Sequence, residues 1–176
     1  IMQQTDRFVC YLSFEIPDKN KHIARLVGLM LGKANTTAYT DEQLTPYLDF
    51  LDTHMIHLDM HEVPPTPENI LNRADRVRRT RPLKYLVVDP YLFIETQSGN
   101  GETETQSIKA MLTKFQTWGR VNHIWVVIVA HPRGLKTVNG RNELEAINMY
   151  TISGSANWAN LADFIFTVSR VSDPDR

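Results

Sequence analysis

The stretch LKYLVVDPYLF, Leu83 to Phe93, decides how the rest of the chain is read. Leu83, Tyr85, Leu86, Val87 and Val88 form an almost unbroken apolar run, Asp89 ends it, and Pro90 follows at once. A short run of β-branched and aromatic residues without polar alternation predicts a strand buried on both faces. Pro90 has no backbone N–H to give to a ladder, so the strand stops there. The carboxylate is the anomaly. An Asp-Pro pair favours a turn, and a carboxylate at the mouth of a sheet can equally serve chemistry.

Further segments share that character. RFVCYLSF (Arg7–Phe14) and HIWVVIVAHP (His123–Pro132) are continuous apolar runs, HMIHLDM (His54–Met60) is a short strand candidate, and FIFTVSR (Phe164–Arg170) is a final one. Between them lie helical patterns. Ile23, Leu26, Val27, Met30 and Leu31 recur at helical spacing and predict an amphipathic helix over 19–31. Thr40 followed by Gln43 has the form of a capping box opening a helix that carries Leu44, Leu48 and Leu51. TPENILNRADRVRRT (Thr66–Thr80) places proline and acid first and bases last, in agreement with the helix dipole. Another helix is predicted from Glu104 to about Val121, and ISGSANWANLAD (Ile152–Asp163) reads as a turn into a short helix. ETQSGNGETET (Glu95–Thr105) and RGLKTVNGRNELEAIN (Arg133–Asn148) are polar connections. Strands alternating with helices predict an α/β fold, with a mostly parallel sheet and helices on both faces.

The chain has 176 residues, which makes a single domain over 1–176 the expectation. There is no repeat, low-complexity tract or linker. The formal net charge is −1, so there is no overall basic field, and any contact with nucleic acid has to be local. The single cysteine, Cys10, cannot form a disulfide within the chain; it reads as a core residue in a reducing, cytosolic compartment. No apolar run approaches the ~20 residues of a membrane span. The chain opens on Ile-Met-Gln-Gln and enters a strand-like run almost at once, which reads as a segment of something longer.

In open parallel sheets, ligands bind beyond the carboxyl ends of the strands. Those ends present Glu15, Asp89, His131 and Ser169-Arg170. Each has a plain reading: Glu15 as a cap for the next helix, Asp89 as a turn former, His131 as a hydrogen-bonded strand-end histidine. One chemistry uses the first three together. In nucleotide hydrolysis one carboxylate polarises water, a second holds Mg²⁺ through water, and a neutral polar side chain touches the terminal phosphate. That chemistry also needs a phosphate loop of the form G-x-x-x-x-G-K-[ST]. GLMLGKA (Gly28–Ala34) fails as one: three residues separate its glycines, Ala34 replaces the hydroxyl, and it ends a helix, with Gly32 as the C-cap. The loop is expected upstream of Ile1.

YLSFE, KYLVVDPY, WVVIVAHPRG and YTISGSANWANLADFIFTVSR together resemble the RecA-like P-loop NTPase core of DnaB-type ring helicases, nearest to phage primase-helicases and the Twinkle helicases. The resemblance runs from about Arg7 to Arg170 and implies a core incomplete at both ends, truncated before the Walker A loop. It implies Glu15 as the residue that activates water, Asp89 as the Walker B aspartate on Mg²⁺, and His131 as the γ-phosphate sensor. It implies that Arg133, Lys136 and Arg141 grip single-stranded DNA, against the plain reading of a solvated loop. Ser153 and Ser155 would lie beside nucleotide or DNA or form a turn, and Trp158 reads as packing rather than base stacking. Arg170 is given no role. The implied function is ATP-driven translocation on DNA by a hexameric replicative helicase, bacterial or phage-encoded and cytoplasmic, with a primase as a further partner. The segment alone, lacking the phosphate loop, would be inactive. Alternatives are an ATPase of RepA or RadA type, a non-catalytic DNA-binding or interaction module, and a metal-dependent hydrolase built on Glu15, Asp59, Asp89 and His131.

Overall fold

The computed structural model describes residues 7–32, 39–96, 103–132, 151–152 and 155–168. Strands β1 (Phe8–Ser13), β2 (Met55–His57), β3 (Leu83–Asp89) and β4 (Trp125–Ile128) form one sheet in the order β2-β1-β3-β4. Every pairing is parallel. Helices α1 (Lys19–Met30), α2 (Asp41–His54), α3 (Pro67–Arg78), α4 (Glu104–Asn122) and α5 (Ser155–Leu161) fill the connections.

The alternation of side chains along β1 sorts these helices into two layers. Phe8, Cys10 and Leu12 face one side, where they meet Leu86 and Val88 of β3, Ile70 and Ala74 of α3, Ile108, Met111, Leu112 and Phe115 of α4, and Trp158 of α5. Val9 and Tyr11 face the other, against Val27 of α1, Leu51 of α2 and Met55 of β2, with Tyr85 and Val87 beside them. Leu83 shares the first side with Leu86 because the pairing shifts by one residue between Phe8 and Val9, which doubles β3 against β1 there. The sheet is therefore covered on both faces, as its unbroken apolar strands predict. Cys10 is fully buried, and burial pushes its thiol up to about 12, so it is a core residue and no nucleophile.

The helix starts follow their sequence. Thr40 and Gln43 form the expected reciprocal capping box, and Thr66 caps α3 with Pro67 in its first turn. Thr103 and Gln106 build a second box at α4. Gly119 of α4 lies where a Cβ would sit 2.8 Å from the carbonyl oxygen of Ile124, so only glycine lets α4 pack this closely on the entry to β4. Lys114 of α4 pairs with Glu68 of α3 across the same layer. Leu48, by contrast, leaves the expected apolar face of α2 and is exposed.

One expectation fails within the described residues. Phe164–Val168, the start of the predicted final strand, belongs to no strand of this sheet. Its composition suits a strand, but a strand exists only where neighbouring backbone groups pair with it. Phe164 approaches Trp125 of β4 with ring centroids 5.8 Å apart, yet no ladder forms. Ser169 and Arg170 lie outside the described residues.

Candidate functional site

The carboxyl ends of β1, β3 and β4 are tied into one rim. Ser13 stands opposite Asp89 in the β1–β3 pairing. Beyond it the Phe14 N–H donates to the Asp89 carbonyl at 2.8 Å. On the other side the Val129 N–H donates to Val88 and the Tyr91 N–H donates to Val129, both at 2.9 Å. Whatever these strands carry at their ends therefore arrives at a shared edge.

Glu15 and His131 meet there. The Nε2–H of His131 donates to Glu15 Oε1 at 2.8 Å. The partner is a carboxylate, which only accepts, so Nε2 carries the proton. Both side chains are about half exposed, at 50% for Glu15 and 51% for His131. Glu15 is not spent on capping, because Asp18 does that work: its Oδ1 accepts from the backbone N–H groups of Asn20 and Lys21.

Asp89 is held differently. The Tyr11 hydroxyl donates to its Oδ2 at 2.6 Å. Tyr11 and Asp89 lie on one face of the sheet, since Tyr11 pairs with Val87, two residues before Asp89. Burial, reinforced by the bond to Asp89, holds the phenol well above its ordinary range, so it stays a donor. Behind Tyr11 stand two histidines. Its ring lies 4.4 Å from that of His22 and 6.2 Å from that of His57, centroid to centroid. His22 Nδ1 and His57 Nε2 are 2.7 Å apart and share a hydrogen bond. Burial lowers both histidines, His57 to about 4 with help from His22 and Lys19. Near neutral pH both rings are thus uncharged, one donating and the other accepting.

None of Tyr11, His22 and His57 is a candidate from sequence alone. Tyr11 sits in an apolar run, and only the pairing of β1 with β3 shows that it reaches Asp89. The DNA-contact candidates Arg133, Lys136 and Arg141 lie outside the described residues, as do Ser153 and Arg170. Trp158 is buried and meets Tyr91 edge to face with centroids 4.9 Å apart, consistent with packing. Gly28 is buried inside α1, and Gly32 follows the helix at φ 68°, so that segment closes a helix rather than opening one on a phosphate. Asp59 is exposed and accepts from the backbone N–H of His61.

Among the described residues no group of three or more histidine, cysteine or acidic side chains is arranged to hold a metal ion. Nucleotide-bound Mg²⁺ takes one or two carboxylates and completes its shell with phosphates and water. Asp89 fits that role chemically, because Tyr11 occupies Oδ2 and leaves Oδ1 for a water on the ion. No helix among the described residues is long and apolar enough to cross a membrane.

No family model matches the chain. In sequence it is similar to the chloroplastic/mitochondrial Twinkle homolog protein of Arabidopsis thaliana, with 34% identity over 109 residues. The match takes in 62% of this chain and 15% of that relative, so the chain spans a small part of the longer protein. In structure it is similar to a solved ATPase domain, with a TM-score of 0.55 at 15% identity over 70% of this chain and 46% of that one. A DnaB-like replicative helicase that interacts with primase gives a TM-score of 0.54 at 16% identity over 70% and 31%. At such identities the solved structures speak for the fold, and the sequence match is a likeness to a small part of one longer relative. The chain has the fold of the ATPase domains of DnaB-like helicases.

Proposed function

We propose that this core hydrolyses ATP to drive movement along single-stranded DNA, as part of a ring-forming replicative helicase. The observation that carries the proposal is the Glu15–His131 hydrogen bond on the same rim as Asp89. Two carboxylates and a histidine from three strand ends distant in sequence lie along the sheet edge where ligands bind, which supports the reading because phosphate-anhydride hydrolysis uses such groups.

In this mechanism Glu15 orients the attacking water and polarises its O–H bond. His131 donates through Nε2, and a terminal phosphate offers it a more highly charged acceptor than Glu15 does. When His131 turns to the phosphate, Glu15 is released to the water. Occupancy of the site and readiness of the base are thereby coupled through one hydrogen bond. Asp89 would hold Mg²⁺ through water, and the ion when bound neutralises charge on the phosphates. Asp89 itself stays fixed in direction by Tyr11.

The phosphate loop has to come from residues other than those described. Among the described residues no strand pairs with the outer edge of β4, where Trp125 and Val127 are 54% and 45% exposed and the apolar Phe164–Val168 lies exposed nearby. A further parallel strand paired with β4 would cover these residues and bring its own carboxyl end to the same rim. Taken alone, residues 1–176 are then expected to bind ATP poorly, because much of the β- and γ-phosphate affinity comes from such a loop. Arg133, Lys136 and Arg141 follow His131 in sequence and would contact DNA phosphates, which are held with little sequence preference. A hexameric ring, a primase partner and a cytoplasmic bacterial or phage setting complete the proposal. The plant relative is organellar, so it supports the helicase type and not that setting.

The test is ATP hydrolysis by the full-length protein with and without single-stranded DNA, for wild type and Asp89→Asn. DNA-stimulated turnover that falls by at least ~100-fold in the variant is expected, since a bound metal supplies several kcal/mol of transition-state stabilisation. Turnover indifferent to Asp89, or none in a folded full-length protein, would refute the proposal and favour a DNA-binding module without hydrolysis.

A further inference from the structure

We infer that Tyr11 is a positioning residue for the carboxylate proposed to hold the metal: its hydroxyl fixes Asp89 through Oδ2, and Oδ1 is the oxygen that would serve the ion. This rests on the role proposed for Asp89 and adds a residue to it. The bond is 2.6 Å long and joins neighbouring strands at their carboxyl ends. A lone carboxylate at a strand end can rotate about its last torsion. Bonding one oxygen to a rigid phenol removes that freedom and orders the other oxygen.

The phenol is itself well supported. Its ring packs on His22, which bonds His57, so α1 and β2 both brace it. Ser13 stands opposite Asp89 in the strand register, and its Oγ accepts from the Ile16 N–H at 3.0 Å. Tyr11 is the group that meets the carboxylate.

Residues that orient a metal ligand from behind typically change metal affinity by about 10–100-fold when removed. The experiment is Mn²⁺ binding to the full-length protein with ADP, followed by electron paramagnetic resonance, for wild type, Tyr11→Phe, Tyr85→Phe and Asp89→Asn. Tyr85 is the control. It lies on the same face of the sheet, and its hydroxyl bonds Arg7 rather than Asp89. Tyr11→Phe is expected to weaken Mn²⁺ binding by about tenfold, Tyr85→Phe to leave it within about twofold, and Asp89→Asn to weaken it further. Replacing Tyr11 with p-aminophenylalanine restores a donor of the same reach, should recover part of the loss, and serves as the second variant if Tyr11→Phe folds poorly. If Tyr11→Phe binds Mn²⁺ like wild type while Asp89→Asn does not, the positioning role is wrong and the metal role of Asp89 stands. If Asp89→Asn also binds like wild type, both fall. If Tyr85→Phe loses as much as Tyr11→Phe, the effect is general packing and the inference fails.

Discussion

Two carboxylates stand at the ends of neighbouring parallel strands, and the fold treats them in opposite ways. Asp89 is half-buried and tied at 2.6 Å to a phenol that is braced by two uncharged histidines. Glu15 is half exposed and bonded to His131, a side chain as exposed as itself. One carboxylate is anchored from behind by the sheet, and the other is paired across the rim with a group that can leave. A carboxylate that holds an ion gains from fixed direction, and one that must turn to water gains from a partner it can release. On the proposed mechanism this difference in burial would be a division of labour.

The sharpest way to break this comparison is Glu15→Gln. An amide keeps a hydrogen-bond acceptor for His131 and the same size, but it cannot take a proton from water. Turnover with DNA should fall by about 100-fold or more, in the range expected for loss of a positioned general base. Mn²⁺ binding should be unchanged, because the proposal gives the ion to the other carboxylate. Steady-state ATPase assays beside the metal titration decide it. A variant that loses metal affinity, or keeps its turnover, would mean that the two carboxylates are not divided in this way.

Much of this architecture is legible in the sequence, and the unread part has a physical cause. The runs ending in Glu15, Asp89 and His131 announce parallel strands because nothing in them alternates. Thr40 with Gln43, and Thr66 with Pro67, announce helix starts because capping is local chemistry. Tyr11 and the two histidines stay hidden because their contacts depend on strand order. His57 reaches His22 from 35 residues away, and Tyr11 reaches Asp89 from 78. Nothing in the local pattern reveals that β1 lies between β2 and β3. Phe164–Val168 shows the opposite failure: its residues suit a strand, but the four-stranded sheet gives that segment no ladder.

A smaller effect sharpens the anchored side. His57 is held at about 4 in the folded chain, below its ordinary 6.5, by burial first and then by His22 and Lys19. Asp89 and Arg25 act on His22 in opposite directions. In the unfolded chain His57 takes up a proton as pH falls through about 6.5, whereas the folded chain resists until about 4. The unfolded state therefore binds more protons across that interval, and stability falls as pH is lowered from 6.5 towards 4. Melting temperature measured between pH 7 and 5 should decline, with a shallower slope for His57→Gln, which can still bond His22. Equal slopes would mean that the imidazole pair is not held neutral.

The smallest expected effect is on the other side of the comparison. The Glu15–His131 pair is half exposed, and pairs of that kind contribute only about 0–1 kcal/mol to stability. His131→Ala should therefore leave the melting temperature nearly unchanged at pH 7 while impairing ATP turnover. Thermal denaturation in buffers of low and high salt separates the possibilities. A drop of many degrees in the variant would show that His131 is structural, and the releasable partner proposed for Glu15 would have to be sought elsewhere. A melt within a degree or two, with turnover impaired, is the outcome that the exposed geometry predicts: the hydrogen bond at the rim is too weak to hold the fold together, and for that reason a phosphate can take it.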